Sequence, residues 1–190
     1  MRVLKVFLTG VFIFGLYANA ALQLKSVPQD GLVEFEAIGR PSMIKIKGQG
    51  AGVSSSLEIA NNKLNGEIKF NLKSLKTGID LRDEHMLNKY LQVGQFPEAK
   101  LTLSSFPLPQ NWSLKNPIVN QAPFKAKLTL HGIEREILGL YSIESADLAA
   151  KASFEIKITD YNIELPSYLG VKVTDLVKVK VLLNKITKLN

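Results

Sequence analysis

The segment "PFKAKLTLHG", residues 123–132, carries the pattern that decides the fold. Its apolar side chains alternate with polar ones: Phe124, Ala126, Leu128 and Leu130 against Lys125, Lys127 and Thr129. Because successive side chains of a strand point to opposite faces, this strand has one dry face and one wet face. His131-Gly132 then provides a turn. Burial on one face only is typical of an antiparallel sheet.

The same period of two recurs along most of the chain. It is found in residues 33–37, 44–47, 68–73, 101–104, 152–158 and 177–181. Asn61-Asn62-Lys63 and Asp160-Tyr161-Asn162 lie between such segments as turn-forming clusters. The pattern predicts an all-β antiparallel fold of about eight strands, either a sandwich or a barrel. A barrel has no open edges, and with eight strands it is either filled by side chains or holds one small ligand.

One segment has helical rather than strand spacing. Met86, Leu87, Tyr90 and Leu91 share one side of a helix predicted over Leu81–Leu91, and Asp80 is placed to cap its start. Pro97 prevents a longer helix. We therefore expect one short helix in an otherwise all-β domain.

Residues 1–20 have the layout of a secretory signal peptide. Arg2 and Lys5 precede the apolar run Val6–Leu16, and Ala18-Asn19-Ala20 is a small-x-small cleavage pattern. The alternative is an uncleaved anchor, although the run is short for a membrane span. We expect cleavage after Ala20, one domain over residues 21–190, and a periplasmic or secreted location.

Composition excludes several function classes. The chain has no cysteine, so thiol chemistry and disulfides are excluded. The formal net charge is +7, and about +5 remains after Arg2 and Lys5 are removed with the leader. This charge is too small and too spread out to predict a nucleic-acid partner. The outer-face lysines are interpreted as solvated, with transient contact to an anionic membrane surface as the alternative: Lys125, Lys127, Lys178 and Lys180.

The cluster of Arg82, Asp83 and His85 has the residue types of an active site. On a helix, however, the side chains of Asp83 and His85 point about 200° apart, and no nucleophile motif accompanies them. His131 is far from His85 in the sequence and is explained by its turn, so no metal site is predicted. We expect no enzyme activity, no cofactor and no metal. The cluster either braces the fold or faces the polar end of a ligand.

Three segments in order resemble the YceI family of bacterial exported lipid-binding proteins. They are "SLKTGIDLRDEHMLNKYLQVGQFPEAKLTLSS" at 74–105, "AKLTLHGIEREILGLYSI" at 126–143 and "DYNIELPSYLGVKVTDLVKVKVLL" at 160–183. The resemblance implies an eight-stranded, lipocalin-like barrel around a long polyisoprenoid chain, such as a quinone or a prenyl phosphate. One departure concerns the first strands, where Arg40-Pro41 lies in the neighbourhood of a histidine that the family usually carries.

The inward side chains mix small and large residues, which leaves a packed core and a ligand tunnel both open. The resemblance favours the tunnel and implies a protein that sequesters or carries an isoprenoid or other long-chain lipid. The alternative is an exported stress or interaction module with a filled barrel and no ligand. The predicted ligand-binding residues are Ile68, Phe70, Leu72, Arg82, His85, Leu101, Leu103, Phe124, Ala126, Leu128, Ala152, Phe154 and Ile156.

Overall fold

The computed structural model describes residues 21–41, 44–144, 147–168 and 170–189. The predicted signal peptide, residues 1–20, lies outside this part of the chain and stays a prediction. Within the described residues, no helix is both long enough and apolar enough to cross a membrane.

The described chain is built almost entirely of β-strands. The strands are β1 (Leu22–Ser26), β2 (Gly31–Arg40), β3 (Ile44–Ala51), β4 (Val53–Ala60), β5 (Lys63–Asn71), β6 (Glu98–Pro107), β7 (Val119–Leu130), β8 (Ile133–Ile143), β9 (Ala150–Lys157), β10 (Ser167–Tyr168), β11 (Val171–Leu183) and β12 (Thr187–Leu189). A short helix, α1 (Asp80–Glu84), continues as a π-helical turn over His85–Tyr90. Single 3₁₀ turns occupy Pro28–Asp30, Leu72–Ser74 and Ile158–Tyr161.

The strands form one antiparallel sheet, which confirms the predicted class of fold. Eleven strands follow one another in the order β12-β1-β4-β5-β6-β7-β8-β9-β11-β2-β3, and β10 pairs with β11 outside this path. The predicted number of eight strands is therefore wrong. The additional strands include β1, β10 and β12, which have two to five residues each and are too short to show a period of two.

The sheet curls because β3 and β4 are consecutive in the chain and are joined by a bend at Gly52. The φ angle of Gly52 is +104°, a conformation that side chains disfavour. Before this bend the chain pairs with β2, and after it with β5. The backbones of Gln49 and Lys76 also exchange hydrogen bonds of 2.9 and 2.8 Å, which link β3 to the chain after β5. The two ends of the path are thus drawn together around an apolar interior.

Among the pairings between the long strands of the sheet, that of β6 with β7 has the fewest residues in register. β6 and β7 are in register only at residues 100–102 and 127–129, whereas β7 and β8 pair along most of their length. Beyond these three pairs, no further residue of β6 is in register with β7. We call this place the β6–β7 seam.

The turns agree with the sequence. Asn61 and Asn62 have φ angles of 52° and 58° in the β4–β5 hairpin, and His131 and Gly132 have 51° and 75° in the β7–β8 hairpin. Two consecutive positive φ angles are what a tight two-residue hairpin requires. The predicted role of His131 as a turn residue is confirmed.

The helix begins as predicted but is capped differently. Ile79 is the N-cap residue, and no side chain caps the first turn, so the predicted capping role of Asp80 is wrong. The carboxylate of Asp83 instead accepts hydrogen bonds from the backbone N–H and the hydroxyl of Thr77, just before the helix. Four side chains of the predicted apolar side are half-buried against the core, as expected: Met86, Leu87, Tyr90 and Leu91.

Tyr161 is the most deeply buried large side chain near the helix end of the sheet, with 1% of its surface exposed. The backbone carbonyl of Tyr161 accepts a hydrogen bond of 3.0 Å from Nδ1 of His131. Burial, with a smaller contribution from the carboxylate of Asp160, raises the pKa of Tyr161 to about 12. The phenol therefore stays neutral in the folded protein up to high pH.

We expect Tyr161→Phe to resist alkaline unfolding better than the wild type. In the unfolded chain a tyrosine ionises near its ordinary pKa of 10, whereas folded Tyr161 ionises near 12, so the wild type loses stability between these pH values. Two pKa units correspond to about 2 to 3 kcal/mol of unfolding free energy, of which about half is lost by pH 11. Denaturant titrations at pH 8 and pH 11 should show a smaller loss for the variant, and equal losses would contradict this account.

Candidate ligand-binding cavity

The curled sheet and the helix enclose a cavity of about 450 Å³. This volume is within the range of small-molecule sites, roughly 300 to 1,000 Å³. Side chains from β2, β3, β4, β5, β6, β7, β9 and β11 form its wall, and the helix and the segment before β10 lie at one end. The cavity therefore occupies the interior of the fold.

Most of the predicted site residues line this cavity. They are Ile68, Phe70, Leu72, Arg82, His85, Leu101, Leu128, Phe154 and Ile156. The other four predicted residues do not lie on its wall: Leu103, Phe124, Ala126 and Ala152. Leu103, Phe124 and Ala126 are buried in the packed core, and Ala152 is packed against that core. That any of these residues contacts a ligand stays a prediction.

A large part of the cavity wall was not among the ligand-binding residues predicted from the sequence. It comes from β2 and β11, which pair side by side with Val33 opposite Val181 and Ala37 opposite Val177. The members of this wall are Val33, Phe35, Ala37, Val171, Val173, Val177, Val179 and Val181. Their alternation with polar residues was visible in the sequence. Predicting that the apolar face of every strand lines the interior would therefore have found them.

The interior is filled on one side and open on the other. Near β8 the rings of Phe124 and Phe154 meet edge to face at 6.2 Å, and those of Phe106 and Tyr141 at 5.4 Å. A side chain at Gly139 would collide with the ring of Phe124. Packed core and ligand tunnel are thus not exclusive, because each describes a different part of the same interior.

The polar groups of the cavity are gathered at one end. They belong to Thr77, Arg82, His85, Tyr90 and Ser167, and all other lining residues are apolar. The hydroxyl of Tyr90 accepts a hydrogen bond of 3.2 Å from the backbone N–H of Ser167, which ties the helix to β10. The cavity therefore has one polar end, at the helix, and an apolar remainder.

Thr77 organises the charged residues at this end. The guanidinium of Arg82 donates to the hydroxyl of Thr77 through Nε at 2.7 Å and to its backbone carbonyl through an Nη at 3.0 Å. Asp83 accepts from the same threonine. Asp83 thus braces the start of the helix, and Arg82 is held in place by the same threonine. The Arg82–Asp83 pair is a local brace with Arg82 at the cavity wall.

The residue types needed for a metal centre do not converge at this site. Within residues 21–41, 44–144, 147–168 and 170–189, no three His, Asp or Glu side chains lie together in a way that could hold a metal ion. His131 uses Nδ1 on the carbonyl of Tyr161 and packs its ring on Phe96 at 4.4 Å between centroids.

Comparison with known proteins agrees with this geometry. The sequence model of the YceI-like domain matches residues 27–184. No curated protein sequence matches the chain significantly. Among solved structures, a polyisoprenoid binding domain from Saccharophagus degradans, implicated in plant cell wall breakdown, is 16% identical with a TM-score of 0.60, covering 84% of this chain and 95% of that one.

Two further structures share the fold at similar distance. BcnA of Burkholderia cenocepacia is 15% identical with a TM-score of 0.62, covering 82% of this chain and 96% of that one. The YCEI protein of Campylobacter jejuni is 15% identical with a TM-score of 0.52, covering 76% and 85%. At these identities the likeness concerns the fold alone.

Proposed function

Because this chain belongs to the YceI-like domain family, a family of binding proteins rather than of enzymes, we propose that it holds an amphiphilic isoprenoid lipid in its cavity. It sequesters or carries this lipid and does not transform it. The ligand class is suggested by the Saccharophagus degradans structure, which is described as a polyisoprenoid binding domain.

The observation that supports the proposal most is the distribution of polarity in the cavity. A long isoprenoid chain needs a continuous apolar wall and few polar anchors, and all but five lining residues are apolar. Each methylene group moved from water into such a wall contributes about 0.8 kcal/mol. An apolar tail therefore supplies affinity without specific hydrogen bonds.

The same distribution gives the ligand a direction. Its polar head, of quinone or prenyl-phosphate type, belongs at the helix, where Arg82 and His85 line the cavity. The two bonds to Thr77 use two of the five N–H donors of Arg82. The guanidinium can therefore brace the helix and still donate to a carbonyl or phosphate oxygen.

A location outside the cytoplasm is part of the proposal. The layout of residues 1–20 supports export with cleavage after Ala20. A chain without cysteine folds in an oxidising compartment without disulfide rearrangement. The mass of the purified protein measures whether residues 21–190 remain.

Lipid extraction from protein purified from its own host is the experiment that tests the function. We expect mass spectrometry to find one isoprenoid species, near one molecule per chain, enriched over the total lipid extract. Native mass spectrometry of the same sample should show the corresponding complex. Finding only apo protein, or only phospholipid in the proportions of the membrane, would contradict the proposal.

A further inference from the structure

Two sets of basic side chains in this protein differ both in their partners and in their place in the fold. Along the outer face of the strands, lysines are paired with carboxylates: Lys47 with Glu36, Lys69 and Lys100 with Glu67, Lys125 with Glu136, Lys127 with Glu134, Lys151 with Glu144, and Lys178 with Glu155. Three of the four lysines considered for membrane contact from the sequence, Lys125, Lys127 and Lys178, belong to this paired group. Their charge is balanced locally.

The second group lies where β2, β3 and β11 end beside the cavity. Arg40, Lys45 and Lys172 are exposed there, and no carboxylate of the described residues is within 4.0 Å of their charged atoms. We call these three residues the basic rim. Exposed carboxylates at the same end of the fold are Asp80, Glu84 and Glu164, which belong to the helix and to the segment before β10 and not to the strand ends.

Two rim residues are placed against each other. Arg40 and Lys172 are directly opposite partners in the β2–β11 pairing. Like charges at opposite positions of an antiparallel pair destabilise the sheet. An arrangement that costs stability and is not compensated by a neighbouring carboxylate is expected where function requires it.

Apolar side chains are exposed beside the basic rim. Ile44 begins β3 next to Lys45 and is 47% exposed, Leu81 on the helix is 46% exposed, and both also line the cavity. Ile79 before the helix is 54% exposed. The apolar wall of the cavity therefore continues onto the surface at this end. Ile44 lies on the cavity face, as its alternation with Lys45 predicts, and it is half-exposed because the strand begins at the opening.

We propose that this end of the molecule docks on an anionic lipid bilayer, with the basic rim on the lipid phosphates and Ile44, Ile79 and Leu81 in the interfacial layer. Basic residues near an anionic membrane surface each contribute attraction, and apolar side chains add to it. An acidic protein surface would match the charges but not the exposed apolar residues that continue into the cavity. The docking deepens the proposed function, because an isoprenoid could then pass between bilayer and cavity without crossing water.

Vesicle sedimentation tests the docking with two matched variants. The rim variant combines Arg40→Gln, Lys45→Gln and Lys172→Gln, and the control combines Lys125→Gln, Lys127→Gln and Lys178→Gln. Both remove three positive charges from exposed positions. On phosphatidylcholine vesicles containing phosphatidylglycerol at low salt, we expect affinity to fall roughly tenfold or more for the rim variant and about twofold or less for the control.

Three results would overturn the docking proposal. They are equal losses in the two variants, unchanged binding by the rim variant, and equal wild-type binding to vesicles of phosphatidylcholine alone. None of the six substituted residues lines the cavity, so both variants should contain extracted lipid at the wild-type ratio. If no protein contains lipid while the rim variant alone loses vesicle binding, the proposed function fails and the docking stands.

Discussion

Ala37→Phe is expected to reduce bound isoprenoid to less than about a tenth of the wild-type amount. Ala37 lies in the middle of β2, is 4% exposed and lines the cavity. Its neighbours in register are Val177 on β11 and Ile46 on β3, which line the same cavity. A phenyl ring at this position has no room in the sheet and must enter the cavity, where the apolar tail would lie.

The size of the effect follows from the part of the cavity that the phenyl ring removes from the ligand. The ring takes up part of a cavity of about 450 Å³, and each methylene group excluded from it removes about 0.8 kcal/mol of binding free energy, so that the exclusion of about two such groups already lowers affinity roughly tenfold. The measurement is the lipid-to-protein ratio after extraction, with thermal unfolding to show that the variant is folded. A ratio equal to the wild type would place the ligand elsewhere.

Ser153→Phe is the matched control for this substitution. Ser153 lies on the outer, exposed face of β9, so the same ring is added without entering the interior. We expect the control to retain the wild-type lipid ratio. Loss of lipid in both variants would mean that the ring acts through general destabilisation and not by filling the cavity.

Gly66→Ala is expected to destabilise the fold by about 3 kcal/mol or more, which is a large part of the stability of an ordinary domain. The φ angle of Gly66 is +134°, which residues other than glycine rarely adopt. A Cβ atom there would also lie 2.2 Å from the backbone carbonyl oxygen of Ser56 on β4. The backbone strain and the collision both destabilise the variant, because neither strand can move without breaking the β4–β5 pairing.

Gly52→Ala separates these two causes. Gly52 also has a positive φ angle, +104°, but a Cβ atom there would have no atom within 4 Å apart from its own chain neighbours. We expect a loss of about 1 to 2 kcal/mol from backbone strain alone. Equilibrium denaturation of both variants gives the difference, which measures the collision. Equal losses for Gly52→Ala and Gly66→Ala would show that the collision is relieved by movement of the sheet.

The class of fold can be predicted from the sequence because the alternation of apolar and polar residues is visible within each single strand. In β7, the alternation of Phe124, Ala126, Leu128 and Leu130 with exposed residues appears unchanged as a buried face. The number of strands depends on pairing between distant parts of the chain. β10 and β12 are held by pairing with distant strands, and neither is long enough to show a pattern of its own.

The position of the cavity is a property of the assembled interior and not of any one strand. Phe124 and Phe154 carry the same inward signal in the sequence, yet Phe154 lines the cavity and Phe124 does not. Phe124 packs edge to face on Phe154 and lies close to Gly139 of β8, in the filled part of the interior. These contacts cannot be predicted from periodicity. The polar end was easier to predict, since Arg82 and His85 stand out in one helical segment.

The β6–β7 seam has a consequence for the range of ligands that one such fold can accept. A sheet with uniform lateral bonding has a fixed circumference, but this one is joined at the seam by only three residue pairs. Widening it there breaks few hydrogen bonds and leaves the hairpins on both sides intact. We therefore expect the interior to widen more readily along this seam than at the β7–β8 pairing, so that a longer tail of the proposed lipid would fit without a change in the residues of the wall.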